Sequence, residues 1–181
     1  MTHYTIYFSG QITASDSFIR LAAADYTGIS CDHQVILRGE HGKPYFADRD
    51  MPHFSLSHSG SRMACAVGPA PCGMDIQEHT FRGKKRNPAY LIRLAERYFH
   101  PDEAEYLKKS ADTGNTFFDL WSARESYVKY TGEGITGDFS AFNILVPSDI
   151  APARITKIPL AEDCSAFLCA EGDFNYMIKR I

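Results

Sequence analysis

The stretch from Phe54 to Val67 restricts the fold more than any other in the chain. Phe54-Ser55-Leu56-Ser57-His58 alternates apolar and polar residues, Ser59-Gly60-Ser61 supplies a turn, and Met63-Ala64-Cys65-Ala66-Val67 is a short apolar run. Period two sends successive side chains to opposite faces, so the pattern predicts a hairpin in which the second strand is buried. Cys72-Gly73-Met74-Asp75-Ile76-Gln77 reads as a further strand.

Around this hairpin the other elements follow from periodicity and punctuation. Tyr4 to Phe8 is a first strand. Ser15 to Tyr26 reads as a helix capped by Ser15 or Asp16, with Gly28 past its end and Phe18, Leu21, Ala22 and Ile29 as its buried stripe. A short strand, Val35 to Leu37, precedes the turn-rich loop Gly39-Glu40-His41-Gly42-Lys43-Pro44. Pro88 to Phe99 is a helix with Leu91, Leu94, Ala95 and Tyr98 inward, and Pro101 opens another helical turn. The best-defined helix is Thr116 to Thr131, with Asn115 or Thr116 as cap and Gly132 and Gly134 at its far end. Strands are expected over Phe142 to Val146, Ile155 to Pro159, Cys164 to Ala170 and Phe174 to Ile178. The 181 residues suffice for one medium domain or two small halves sharing a core. The element order predicts an α+β fold of two tandem halves, 1–78 and 79–181, although no residue-level repeat relates them.

Composition removes several functional classes. A formal charge of -3 and a pI near 6.1 argue against a nucleic-acid partner. The local exception is Arg82-Gly83-Lys84-Lys85-Arg86, which suits either a solvated loop or a docking role. Five cysteines, Cys31, Cys65, Cys72, Cys164 and Cys169, form no CxxC pair and are read as reduced and buried. The first residues lack a basic segment followed by an apolar one, and no apolar run reaches membrane-spanning length, so a cytoplasmic protein without a membrane partner is expected.

Three groups of residues can carry chemistry. Asp75 and Gln77, two apart on a predicted strand, point to the same face, and oxygen donors so placed suit a hard cation such as magnesium. Glu125 and Lys129 are i and i+4 on the Thr116 helix, with Trp121 one turn earlier. They read either as an exposed ion pair worth only ~0.3–0.5 kcal/mol or as a metal ligand beside a diphosphate-binding cation. His58, with Ser57 before it and the Ser59-Gly60 turn after it, could donate to a phosphate. A Ser57, His58, Asp75 hydrolase is the weakest reading, since no GxSxG elbow is present.

Read in order, Gly42-Lys43-Pro44, Phe54-Ser55-Leu56-Ser57-His58-Ser59-Gly60, Gly73-Met74-Asp75-Ile76-Gln77, Trp121-Ser122-Ala123-Arg124-Glu125-Ser126-Tyr127-Val128-Lys129 and Gly132-Glu133-Gly134-Ile135 resemble the 4'-phosphopantetheinyl transferase superfamily, most of all its surfactin-synthetase-activating branch. The resemblance implies two similar α/β-sheet halves related by a pseudo-twofold axis, with coenzyme A in the active-site cleft between them and magnesium on its diphosphate. It implies that Lys43, Ser57, His58 and Lys129 hold the phosphates, and that Asp75 and Glu125 bind magnesium, with Gln77 offering a carbonyl oxygen as a third ligand. The reaction would move the phosphopantetheine arm onto a serine of an acyl or peptidyl carrier protein. Glu125, or a water on the cation, is the candidate base, Lys129 the clamp or acid, and Asp75 completes the catalytic set. Carrier proteins are typically acidic, so Arg82, Lys84, Lys85 and Arg86 are candidates for docking the carrier. A monomer is expected, because a two-halved chain completes its own cleft.

Two departures accompany the resemblance. Gln77 stands where the branch commonly has a second acidic residue. The region before Gly42 is also shorter than usual and lacks a basic helix that grips the 3'-phosphate, for which Arg20, Arg38 or Arg62 could substitute. These departures motivate an alternative, a degenerate protein that binds coenzyme A or a carrier without transfer.

Overall fold

The computed structural model describes residues 1–81, 84–134 and 139–181. Its first sheet is ordered β11-β1-β5-β4 and contains β1 (Thr2–Ser9), β4 (His53–Ser59), β5 (Arg62–Gly68) and β11 (Phe174–Arg180). A second sheet is ordered β6-β10-β9, from β6 (Cys72–Glu78), β9 (Ala153–Lys157) and β10 (Cys164–Glu171). The hairpin predicted around Gly60 is β4–β5, with Phe54 opposite Val67 and His58 opposite Met63. Two-stranded ribbons, β2 (Ile36–Arg38) with β3 (Pro44–Phe46) and β7 (Thr80–Phe81) with β8 (Lys84–Lys85), complete the strands.

The two sheets share one plan. In the first, α1 (Ser15–Thr27) follows β1, and the antiparallel order is β1-β5-β4. In the second, α4 (Thr113–Thr131) follows β6, and the antiparallel order is β6-β10-β9. Each unit is therefore a strand, a helix and then a hairpin whose second strand sits in the middle. β6, which lies before the boundary expected after residue 78, pairs with β10 in the second sheet. β11 returns to the first sheet, parallel to β1 from Thr2↔Phe174 to Phe8↔Arg180.

Burial follows this layering. Tyr4, Ile6 and Phe8 of β1 pack with Ala64, Ala66, Met74, Ile76, Ala166 and Leu168 between the sheets. The other face, with Tyr7, Met63, Cys65 and Val67, takes Phe18, Ile19, Ala22 and Ala23 of α1. Strands buried on both faces lose period two, which is why β1 and β5 read as apolar runs. A third cluster joins α4 to α2 (Pro88–Tyr98) and α3 (Pro101–Lys108) through Leu91, Ala95, Leu107, Phe117 and Leu120.

Several local expectations change. The buried stripe of α1 is Phe18, Ile19, Ala22 and Ala23, while Leu21 and Ile29 are exposed; its N-cap is Ala14, with no side-chain bond. α4 begins earlier than expected because Asp112 Oδ1 caps it, accepting from the Asn115 N–H at 3.1 Å. The strand expected over Phe142 to Val146 is a turn. Asn143 Oδ1 accepts from the Leu145 N–H and Glu103 Oε1 from the Ile144 N–H, so side chains take the donors a strand would have paired.

Candidate active site

β4 and β6 lie side by side without a backbone ladder between them. Serine hydroxyls replace it: Ser55, Ser57 and Ser59 Oγ accept from the N–H groups of Met74, Ile76 and Glu78 at 2.9, 3.2 and 2.9 Å. Those N–H groups alternate along β6 with the ones facing β10, so the strand's N–H groups find acceptors on both edges. The alternating serines were visible in the sequence, but their part in joining the two units was not.

α4 crosses β6 at very close range. A Cβ on Gly73 would stand 1.9 Å from Ser126 O and 2.3 Å from Tyr130 N, so only glycine lets the helix sit this low. The approach brings Lys129 Nζ to 2.7 Å from Asp75 Oδ1 and 2.9 Å from Ser57 Oγ. Gly132, at φ 78°, ends α4 in the left-handed conformation expected of it.

A cleft of about 660 Å³ opens over this crossing. Its walls include His41, Lys43, Ser57, His58, Asp75, Gln77, Trp121, Glu125, Val128 and Lys129, so the residues that sequence named for catalysis, for the coenzyme A diphosphate and for the cation line one cavity. Asp75 is 1% exposed. Its Oδ1 accepts from Ser57 Oγ at 2.8 Å and from Lys129, and its Oδ2 accepts from Gln77 Nε2 at 3.1 Å. Ser57 therefore donates to Asp75 and not to His58, whose ring is exposed, and no Ser57, His58, Asp75 triad is assembled.

Glu125 is 9% exposed and makes no hydrogen bond among the described residues. Burial, reinforced by the Asp75 charge and opposed by Lys129, pushes its carboxyl up to about 7. It is thus no exposed partner for Lys129, whose ammonium goes to Asp75. Two carboxyl groups facing one cleft, one of them without a hydrogen-bond donor, are the arrangement a cation relieves. All-oxygen donors suit a hard divalent ion, and Asp75 and Glu125 are the groups that could hold one. Among the described residues no group of three or more His, Cys, Asp or Glu is placed to hold a metal ion.

Lys43, expected to face phosphate, sends Nζ to Cys72 O at 3.1 Å and Tyr130 O at 3.4 Å, tying its loop to the start of β6 and the end of α4. Burial lowers its pKa. Arg20, Arg38 and Arg62 do not line the cleft: Arg20 donates to Gln34 O, Arg38 pairs with Asp16, and Arg62 pairs with Asp163 and Glu78. Of the basic run, Arg82 lies outside the described residues, Lys84 is exposed, and Arg86 stacks 5.7 Å from the Tyr90 ring.

Arg124, beside Glu125, received no role from sequence. It is wholly buried, paired with Glu103 Oε2 at 2.5 Å, donating to Phe139 O and Phe142 O, and packed 4.2 Å from the Phe142 ring. It fastens α4 to α3 and to the 139–143 segment.

The sequence pattern of the 4'-phosphopantetheinyl transferase superfamily matches residues 71–174, more than half of the chain and all of the β6–α4 site. The chain belongs to this superfamily. It is 36% identical over 141 residues to a 4'-phosphopantetheinyl transferase of Bacillus subtilis, covering 74% of this chain and 57% of that protein. With the transferase Sfp of Bacillus subtilis (strain 168) it shares 34% over 112 residues, 61% of this chain and 46% of that protein. With HetI of Nostoc sp. it shares 30% over 155 residues, 82% and 62% respectively. The chain spans about half the length of the curated relatives it matches. Among solved structures it is similar to the holo-[acyl-carrier-protein] synthase of Thermotoga maritima, with TM-score 0.43 and 15% identity over 57% of this chain and 64% of that one.

Proposed function

We propose that this member of the superfamily transfers the 4'-phosphopantetheine arm of coenzyme A to a serine hydroxyl of an acyl or peptidyl carrier protein, with magnesium as its cation. The observation that carries the reading is the buried Asp75 and Glu125 pair facing one cleft beside Lys129. The relatives reported above bear the name of this activity.

Held by Asp75 and Glu125, magnesium would neutralise the diphosphate and polarise the phosphorus under attack. The carrier serine Oγ attacks the phosphorus nearer the pantetheine and forms a new P–O bond. Its proton passes to the Glu125 carboxylate, the candidate base. The bond from that phosphorus to the bridging oxygen breaks, and the electron pair leaves with adenosine 3',5'-bisphosphate. Lys129 and His58 meet the charge gathering there, and Lys43 adds positive potential from the cleft wall. Lys84, Lys85, Arg82 and Arg86 steer an acidic carrier. The reading includes a monomer and a cytoplasmic location, in keeping with five cysteines that are free and buried. Among the described residues no helix is long and apolar enough to cross a membrane.

Chromatography of the nucleotide product tests the reaction. Adenosine 3',5'-bisphosphate is expected only when coenzyme A, an apo carrier and magnesium are all present. Its absence in the complete mixture, with coenzyme A bound, would favour the non-transferring alternative. Release that persists in EDTA would refute the magnesium requirement.

A further inference from the structure

The superfamily resemblance assigns Ser57 to the phosphates of coenzyme A and Gln77 to the cation. The hydrogen bonds give both a different task. A serine hydroxyl has one proton to give and two lone pairs to receive with. That of Ser57, 5% exposed, gives its proton to Asp75 Oδ1 at 2.8 Å and receives from Lys129 Nζ at 2.9 Å and Ile76 N–H at 3.2 Å. Nothing is left for a phosphate oxygen. Gln77 turns Nε2 toward Asp75 Oδ2 at 3.1 Å. The reversed amide would set a carbonyl oxygen against a carboxylate oxygen, lone pair to lone pair, so this orientation is the favourable one.

We infer that Ser57 and Gln77 are positioning residues that fix the Asp75 carboxylate, one at each oxygen, and that neither is itself a ligand of phosphate or cation. The inference rests on the cation site proposed above. A carboxylate held at both oxygens offers its remaining lone pairs in one direction, which lowers the cost of organising it when a cation binds. Gln77 can do this as an amide donor, and an acidic side chain at that position could not.

Mn2+ binding to the full chain, followed by electron paramagnetic resonance, tests the inference without relying on turnover. Ser57→Ala and Gln77→Ala are each expected to weaken Mn2+ about tenfold, the lower end of what groups supporting a metal ligand contribute. Ser57→Thr, which keeps the hydroxyl, should restore the affinity. Hyperfine spectra of Mn2+ in protein carrying 13C at the glutamine side-chain carbonyl should show no coupling that Gln77→Ala removes. Coenzyme A affinity of Ser57→Ala in EDTA should equal that of the unaltered chain. A Gln77-dependent 13C coupling, or Mn2+ affinity indifferent to both substitutions, would overturn the inference alone. A drop in coenzyme A affinity of about tenfold, the worth of one hydrogen bond to a charged group, would return Ser57 to the phosphates. No Mn2+ binding by the unaltered chain would overturn the cation site and this inference together.

Discussion

Glu125 concentrates the chemistry of the site in one side chain. Glu125→Gln keeps its volume and removes its basicity, so turnover should fall by about 10²-fold or more in a steady-state assay. Near-normal turnover would reject it as the base. Its titration also links pH to stability. The folded value, about 7, lies above the ordinary 4.5, so folding favours the neutral carboxyl. That contribution is full below pH 4.5 and is lost as pH rises through about 7. In EDTA the melting temperature should therefore fall more steeply between pH 5 and 8 than in Glu125→Gln, and saturating magnesium should flatten the difference. Equal slopes in EDTA would contradict the shift. Strand and helix spacing put Asp75, Glu125 and Lys129 each on a defined face, and it was the order of the superfamily motifs that brought them to one site. The tasks of Ser57 and Gln77 were not legible in the sequence, since spacing brings a hydroxyl or amide near a carboxylate but leaves open which group receives its proton. Arg124 was hidden because its partner Glu103 lies on another helix.

At the scale of elements, the crossing of α4 over β6 sets the distances of the site. Gly73→Ala must lift α4 off β6, because its Cβ would meet Ser126 O and Tyr130 N of the helix, at a cost of about 1–3 kcal/mol by the measure of overpacked cores. Denaturant unfolding should read that loss, and Mn2+ affinity should fall with it as Lys129 and Glu125 move. Unchanged affinity would separate the site from the crossing. Arg124→Met removes one partner of a buried pair and leaves Glu103 uncompensated, for an expected loss of about 3–5 kcal/mol in the same unfolding measurement. A loss below about 1 kcal/mol would show that Glu103 finds another donor. The hairpin β4–β5 and the C-terminal end of α4 were readable from turn and cap residues. The face of α1 was not, because two adjacent stripes of its surface are both apolar and only packing against Met63 and Cys65 selects between them. The turn at 142–146 was missed because Asn143 and Glu103 satisfy its backbone, an arrangement made by distant residues.

For the whole molecule, the repeated strand, helix and hairpin plan survives in topology although no residue pattern announces it. Side chains that suit the layers preserve the plan, whereas the serines of β4, Gly73, the Arg124 and Glu103 pair and the cleft residues meet particular atoms. β11 ties the end of the chain back to β1, which no local pattern in Phe174 to Ile178 could foretell. Charge acts at this scale too. In a chain of net charge -3, the run at 82–86 is a local basic patch, and Lys84→Glu with Lys85→Glu should raise KM for the carrier while leaving coenzyme A affinity unchanged. An unchanged KM would remove that patch from the interface. The central claim is the transfer itself, and intact mass spectrometry of an apo carrier incubated with this chain and coenzyme A, in magnesium and in EDTA, tests it most directly. The account predicts a gain of one phosphopantetheine on the carrier in magnesium and none in EDTA. A carrier whose mass stays unchanged in magnesium, across both acyl and peptidyl carriers, would contradict it.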